Sequence, residues 1–594
     1  MKSRTSFFDK TAFRKDVTRF APAWGLYSVG LVMVLSALWL SDSMPYRNTS
    51  NIVDMLPITA LANLCYGFVN AQLLFGDLFT SRLCNALHAM PLKRQTWFGS
   101  HVAAGMCFSL IPNLGAALLA WLMFDFGAGW PVMFWWLLAA TLQYLCFFGL
   151  GVLAMMLSGN RLASTLIYAV MNFFSLLLFW LLDSLYEPLL PGVRINEDPF
   201  TYFSPVVRMA SDWDLLAVEG ERILDALGNL KEWKILGLTR NGAAWAGLGA
   251  YALVGVALLG IALLLYKKRD LECAGDFTAF KKTDPVLLVI FTVALGAFCH
   301  MFADANGFGF ASYFFLVVGM AVGFFSGLML LQRTSRVFRP KAVAAFGLVC
   351  ALFLGSLGLT WLDPLGITRW VPEEEDVAAV NLSSRYDHHY YSQGEMELTD
   401  SQQIRDMLEI HSYAIEEIRG EYFREPGYMY DVTLCLEYTL KNGRTRTRFY
   451  EIPADSDMGQ LLKTYYSSFE YVMGYKESEI PMLAESLISV QSYNVRADDQ
   501  ENWELLQKIN AEELLRTIAA DCAAGTLAQE SAYHLKEDAQ GNRDWGERTG
   551  VELGFHLNPE DPDVYISLTV YDDSENILAW LTENGFFDPA EQKY

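Results

Sequence analysis

Residues 342–362, AVAAFGLVCALFLGSLGLTWL, run 21 positions without a charge, and by 373 the chain reads Glu373-Glu374-Glu375-Asp376. A helix needs about 20 apolar residues to cross a hydrocarbon core about 30 Å thick. The first stretch therefore belongs in a bilayer and the second in water. The charge count divides at the same border. Residues 1–362 hold 26 Lys and Arg against 21 Asp and Glu, a net of +5, and residues 363–594 hold 18 against 46, a net of −28. The whole chain of 594 residues is 53% hydrophobic and 19% charged, with net charge −23 and mean hydropathy +0.21. Soluble domains carry about 25% charged residues, so this average is the sum of two unlike parts. It excludes a disordered, collagenous or disulfide-scaffold protein, and a pI near 4.8 excludes a nucleic-acid binder.

Working back from 342, nine segments reach spanning length: Ala21–Leu40, Met55–Phe75, Trp97–Met123, Pro131–Leu157, Leu162–Leu182, Ala244–Tyr266, Pro285–Phe302, Ala311–Leu331 and Ala342–Leu362. The expected fold is a polytopic α-helical membrane protein of about nine transmembrane helices with a C-terminal α+β domain. The first residues are polar and the first apolar run is full length, so no signal peptide is read. Positive charge marks the cytoplasmic side. With the N-terminus inside, residues 1–20, 81–96, 158–161, 267–284 and 332–341 carry 19 of the 26 Lys and Arg. An odd number of crossings then puts the acidic domain, 363–594, outside the cell. Seven of the nine cysteines lie in or beside the membrane part, and only Cys435 and Cys522 lie beyond it. That pair could bridge, although two cysteines in so long a stretch are read as free and buried.

Two inner segments carry helical patterning as well as positive charge, and a solvated basic flank is the alternative reading of the first. Residues 7–20, FFDKTAFRKDVTRF, place Phe13, Val17 and Phe20 on one helical face and Arg14, Lys15 and Arg19 elsewhere, as in a basic helix lying in the headgroup plane. Residues 82–94, RLCNALHAMPLKR, repeat Leu83, Ala86, Leu87 and Met90 at helical spacing before Pro91. A helix there would leave Arg82, Asn85 and His88 available to a partner; an ordinary basic loop is the alternative.

The R-x-x-N-x-L-H-x-x-P-x-x-R spacing of 82–94 resembles the first cytoplasmic loop of bacterial ABC-2 type exporter permeases. In particular it resembles those of Gram-positive bacteria that carry a soluble C-terminal extension. Residues 147–161 (FFGLGVLAMMLSGNR), 266–276 (YKKRDLECAGD) and 365–372 (LGITRWVP) share the resemblance. It implies a six-span core over 21–266, an interface helix at 1–20, and three additional helices over 267–362. It makes 82–94 a coupling helix, with Arg82, Asn85, His88, Pro91 and Arg94 facing an ATPase, and the turn Ser158–Arg161 a second cytoplasmic contact. A re-entrant region would fall in the extracellular loop 183–243, which is long for that role. The implied setting is a bacterial cell membrane, with a second permease chain and cytoplasmic ATPase subunits that bind ATP and Mg.

The chain itself has no G-x-x-x-x-G-K-[ST] loop and no Leu-Ser-Gly-Gly-Gln signature, so nucleotide chemistry would have to come from another chain. No catalytic, cofactor or metal site is read. His388-His389 lacks metal-ligand spacing, His534 and His556 stand alone, and G-x-S-x-G is absent. Within the spans, Thr59, Asn63 and Asn70 fall on one face of the second, and Asn172 lies in mid-fifth; Asn113 and Gln143 are also intramembrane. Polar groups in lipid face the bundle or a wet path. Thr59, Asn63, Asn70 and Asn172 are nominated for the transport path or dimer interface, with hydrogen bonding between helices as the alternative.

The outer domain reads as one βαββα order repeated. The first copy has a strand at Val377–Leu382, a helix at Asp400–Arg419, a hairpin at Tyr428–Ile452 turning at Lys441-Asn442-Gly443, and a helix at Asp457–Met473. The second has a strand at Leu487–Val495, a helix at Glu501–Ala524, a hairpin at Val551–Tyr571 turning at Asn558–Pro562, and a helix at Ser574–Glu583. The expected function is a permease working by alternating access, exporting an antimicrobial peptide or lipid-like compound. The rival is a receptor or immunity module whose outer domain senses a ligand without transport.

Overall fold

The computed structural model describes residues 7–41, 55–123, 130–196, 198–211, 215–224, 230–383, 394–420, 431–494, 510–528, 533, 535–537, 543–545, 551–557, 565–570 and 573–584. The chain forms two compact units, Met1–Leu185 with Asn196–Gly355, and Tyr186–Ile195 with Ser356–Tyr594.

The first unit is helical: α1 (Lys10–Arg19), α2 (Ala21–Ser41), α3 (Leu56–Phe75), α4 (Ser81–His88), α5 (Arg94–Met123), α6 (Trp130–Leu157) and α7 (Arg161–Leu185). Two short helices follow, α8 (Asp198–Phe203) and α9 (Pro205–Ala210), and then a hairpin of β1 (Leu216–Leu224) and β2 (Leu230–Arg240). The unit closes with α10 (Gly242–Lys268), α11 (Asp284–Ala305), α12 (Ser312–Gln332) and α13 (Pro340–Leu362). Among the described residues, eight helices are long and apolar enough to cross a membrane, or nine if α1 and α2, which meet at 58°, form one broken span. This is the architecture of a multi-pass membrane protein.

Apart from α7, whose polar Ser164, Asn172 and Ser175 are on the buried side, the long helices differ little in hydropathy from face to face, and small residues mark which sides meet. α6 crosses α10 where Gly149 backs onto Gly255, and a Cβ on either would enter the other helix's backbone. It crosses α3 where Gly67 faces the backbone of Phe147 and Phe148, and Gly151 faces Phe68 and Ala71. Gly296, Gly319, Gly323 and Gly327 bring α11 and α12 together in the same way. Within 183–243, where the resemblance implies a re-entrant region, Val206 and Met209 of α9 join the core of the bundle together with Leu56 and Val132.

The second unit has two lobes. In the first, β3 (Val377–Ser383), β4 (Glu395–Leu398), β5 (Asp431–Leu440) and β6 (Thr445–Pro453) form an antiparallel sheet in the order β4-β3-β5-β6. It is covered by α14 (Ser401–Gly420), α15 (Asp457–Tyr466) and α16 (Phe469–Met473) around Val380, Leu434, Leu436, Met407 and Leu462. The β5–β6 turn uses Gly443 at φ 77°, and the Asn442 side chain accepts from the Arg444 amide at 2.9 Å. The second lobe follows α17 (Ile480–Ser486). There β7 (Leu487–Asn494), α18 (Ala511–Ala524), a small hairpin of β8 (Leu535–Glu537) and β9 (Arg543–Trp545), β10 (Val551–Leu557), β11 (Tyr565–Val570) and α19 (Glu575–Glu583) make a sheet ordered β7-β10-β11. In both lobes the leading strand pairs with the first strand of the later hairpin.

Several boundaries differ from the reading. β4 is an unforeseen edge strand, and the helix expected over 457–473 breaks at Ser467-Ser468, where Ser468 Oγ accepts from the Tyr471 amide. The expected start of the second helix at Glu501, the turn Asn558–Pro562, and His388, His389 and His534 lie outside the described residues. All nine cysteines are free; Cys435 and Cys522 are buried, one on β5 and one on α18.

Candidate functional site

α4 spans the loop between α3 and α5 at the end of the bundle that carries most of this unit's Lys and Arg. Its inner face is anchored by Cys84 and Leu87, both buried, and Leu87 packs with Ala12 of α1 and with Trp97. The outer face is unusual for a polar loop. Leu83 is 46% exposed and lies beside the exposed Ala86 one turn on, and Met90, in the bend just beyond the helix, is 42% exposed. Arg82, Asn85, Pro91 and Lys93 are exposed beside them.

The five residues read as facing a partner therefore divide. Arg82, Asn85 and Pro91 are on the surface. His88 is half-buried and engaged at both nitrogens, which corrects its reading as available. Nδ1–H donates to the Cys84 carbonyl at 2.8 Å, leaving Nε2, 3.2 Å away, to accept from the Tyr266 hydroxyl. Burial, together with Arg94 and Arg269, lowers its pKa, so the ring is neutral near pH 7. Arg94 also turns inward. Its guanidinium donates to the carbonyls of Tyr266, Lys267 and Arg269 at 3.0, 3.2 and 2.8 Å, which are the carbonyls left unpaired where α10 ends.

Arg269 does the same for α6, donating to Met155 and Met156 at 2.7 and 3.1 Å, and it is only 4% exposed. The sequence held a signal for these two caps, the basic run Lys267-Lys268-Arg269 at a span's end, which went unread as a partner of the 82–94 loop. The turn Ser158–Arg161 is clamped by the loop after α10. Gly159 N donates to Phe277 O at 3.2 Å and Gly275 N to Gly159 O at 2.7 Å, and a Cβ at Gly159 would strike the carbonyls of Cys273 and Asp276. Ser158 and Gly159 are thus covered, and only Arg161 and its neighbour Leu162 are exposed.

α1 lies against α5 through an interaction that the reading missed. Asp16 is 4% exposed and accepts from His101 Nδ1 at 2.6 Å. Its spacing from Ala12 (i, i+4) on the inner face of an otherwise basic helix was the available sign, since buried acids are almost always paired. Arg19 pairs with Asp77 at 3.0 Å beyond the end of α3.

The intramembrane polar residues are enclosed. Asn63 and Asn70 have no exposed surface, and Asn172 has 1%. Asn63 Nδ2 donates to Ala140 O at 3.1 Å and Gln143 Oε1 at 3.3 Å, and Asn70 Nδ2 donates to the Tyr144 hydroxyl at 2.9 Å. Tyr144 passes its own proton to Gly105 O at 2.7 Å, so Asn70 links α3, α6 and α5. Asn172 donates to Tyr168 O on its own helix at 2.9 Å. All three are enclosed within the bundle, and the hydrogen bonds of Asn63 and Asn70 run between helices. Thr59 is half-exposed and its hydroxyl donates to Met55 O.

Compared with known protein families, curated proteins and solved structures, the chain matches none.

Proposed function

We propose that this chain is the membrane-spanning permease subunit of an ATP-driven exporter of the ABC-2 type, paired with a second permease chain and powered by separate cytoplasmic ATPase subunits. The observation that carries the reading is α4, a short helix fixed from behind by Cys84, Leu87 and His88 while Leu83 and Ala86, and Met90 just beyond its end, are exposed. Exposed apolar side chains flanked by Arg82 and Lys93 suit an acid-rimmed protein groove better than water. The anchoring makes it a lever: Arg94 bonds the end of α10, and α3 and α5 leave the two ends of the α4 loop. Force on α4 would thus reach α3, α5 and α10, three of the helices that pack on α6. In this reading there are nine spans, with the N-terminus inside and the acidic unit outside. The net of −28 over 363–594 favours a cationic amphipathic peptide as substrate by long-range attraction.

The test is whether an ATPase co-purifies with this chain when it is expressed together with the proteins encoded beside it. A Leu83→Asp/Met90→Asp pair should abolish the association at unchanged expression; wild-type retention by that pair removes α4 as the docking element. If the unaltered chain captures no ATPase, the ligand-sensing receptor becomes the better reading. A cysteine placed in 372–376 should react with an impermeant label on intact cells, and protection there overturns the topology.

A further inference from the structure

The second unit receives the chain twice. Ten residues, Tyr186–Ile195, belong to it although they directly follow α7 of the membrane unit, and the main body begins at Ser356, within α13. The short segment is closed on itself: Glu187 accepts from the Ile195 amide at 3.0 Å and pairs with Arg194 at 3.4 Å. It is also seated on the β5–β6 hairpin. Gly192 O accepts from the Phe449 amide at 3.2 Å, and the Arg194 guanidinium lies 4.2 Å from the centre of the Phe449 ring. Gly192 has φ 78°, and a Cβ there would run into the Tyr450 ring, so this position is fitted for glycine twice over.

The same hairpin holds the approach from α13. Arg448 donates to Ile367 O at 3.1 Å, and Arg446 and Arg448 both stack on Trp370, at 4.5 and 5.0 Å. Where the two approaches begin, the Tyr186 and Ser356 hydroxyls are 2.7 Å apart.

We propose that residues 186–195 are a strap by which the C-terminal unit holds the end of α7. The unit then acts on the membrane part through two helices, α7 and α13, rather than hanging from the last one. A passive connection needs neither a left-handed glycine packed on a buried tyrosine nor an arginine shared between Glu187 and Phe449. α7 is in a position to pass displacement on, because its Tyr168 donates to Leu64 O of α3 at 2.8 Å and stacks on Phe68 at 4.4 Å. The inference stands whether or not α4 docks an ATPase.

Amide hydrogen exchange on the full-length chain in lipid nanodiscs tests it, comparing Gly192→Val and Arg194→Ala with the unaltered protein. The expected result is about tenfold faster exchange at 186–195 and 445–453, and also across the last turn of α7, 182–185. Should Gly192→Val unfold the whole first lobe, the strap is released all the same, so the end of α7 must still speed up. Unchanged exchange at 182–185 while 186–195 accelerates makes the segment a passive linker and overturns the proposal. Unchanged exchange at 445–453 in both variants overturns it too, because the hairpin would then not be gripping the strap.

Discussion

α6 and α13 are comparably apolar and comparably long, yet 72% of one span is buried within the protein and 6% of the other. The difference lies in their glycines. Gly149 and Gly151 of α6 are where α10 and α3 press closest, while Gly347, Gly355 and Gly358 of α13 have no atom near the position of a Cβ. Apart from Phe346 against the rings of Phe324 and Phe325, and Ser356 at Tyr186, α13 buries only Leu357. Lipid is as apolar as leucine, so a helix gains nothing from a neighbour unless the two backbones can approach. Hydropathy identifies a span; close approach at small residues identifies its neighbours.

The sharpest way to break this contrast is to fill the crossing. Gly149→Leu or Gly255→Leu puts a side chain into the opposite backbone, and α6 must part from α10. The loss should be about 3 kcal/mol or more, measured by unfolding in mixed micelles with a denaturing detergent. A loss below about 1 kcal/mol would mean that the α6–α10 crossing adapts freely and that the glycines do not define it.

That contrast also explains what was legible in the sequence. Eight of the nine expected spans were, because hydrocarbon thickness fixes their length. The Asn442-Gly443 hairpin was legible because its turn demands a left-handed residue. The inward turn of His88 and Arg94 was not, since their partners, Tyr266 and the carbonyls ending α10, are more than 170 residues away. Asn63 and Asn70 could be placed on one face of α3, but the pattern could not say that α6 lay opposite. The strap was invisible for a related reason: Gly192 reads as an ordinary loop glycine until Tyr450 is set against it.

A second prediction moves the question of enclosed polar groups into the water-soluble unit. His411 of α14 has no exposed surface, and its two nitrogens lie 2.9 Å from the hydroxyls of Tyr438 and Tyr450. The neutral ring donates from one nitrogen and accepts at the other, and burial disfavours the charged ring that would donate from both. Burial, aided by Arg448, presses its pKa down from 6.5 to about 3. Below pH 6.5 the unfolded chain takes a proton that the folded lobe refuses. Stability is therefore full above about pH 7 and falls progressively as the pH drops from 6.5 toward 3. Between pH 7.5 and 5 the loss should be about 2 kcal/mol. His411→Gln, which still offers a donor and an acceptor, should flatten the slope by that amount in chemical unfolding of the full chain. An equal slope in both proteins would refute the assignment.

A smaller effect is expected inside α6. Tyr144→Phe removes the hydroxyl that joins Asn70 to Gly105 O, and Asn70→Leu removes the amide. Hydrogen bonds between membrane helices average only about 0.6 kcal/mol, because a partly unfolded chain in lipid finds other partners. Each change should lower stability by about 1 kcal/mol, and the double variant by little more than either alone, because both break one network. Strict additivity would show that Asn70 and Tyr144 act separately.

The smallest effect completes the comparison. Gly347→Leu and Gly355→Leu add to α13 the same side chain that is ruinous in α6, and should shift unfolding by less than about 0.5 kcal/mol. The direction can even be favourable, since leucine has the better helix propensity by nearly 1 kcal/mol in water. The reasoning depends on what adjoins these positions: an acyl chain rearranges around a new side chain, whereas the backbone of α10 cannot. If Gly355→Leu proved as damaging as Gly255→Leu, lipid could not be what adjoins it. The open face of α13 would then be a protein surface, and the contrast with α6 would be one between two partners rather than between protein and lipid.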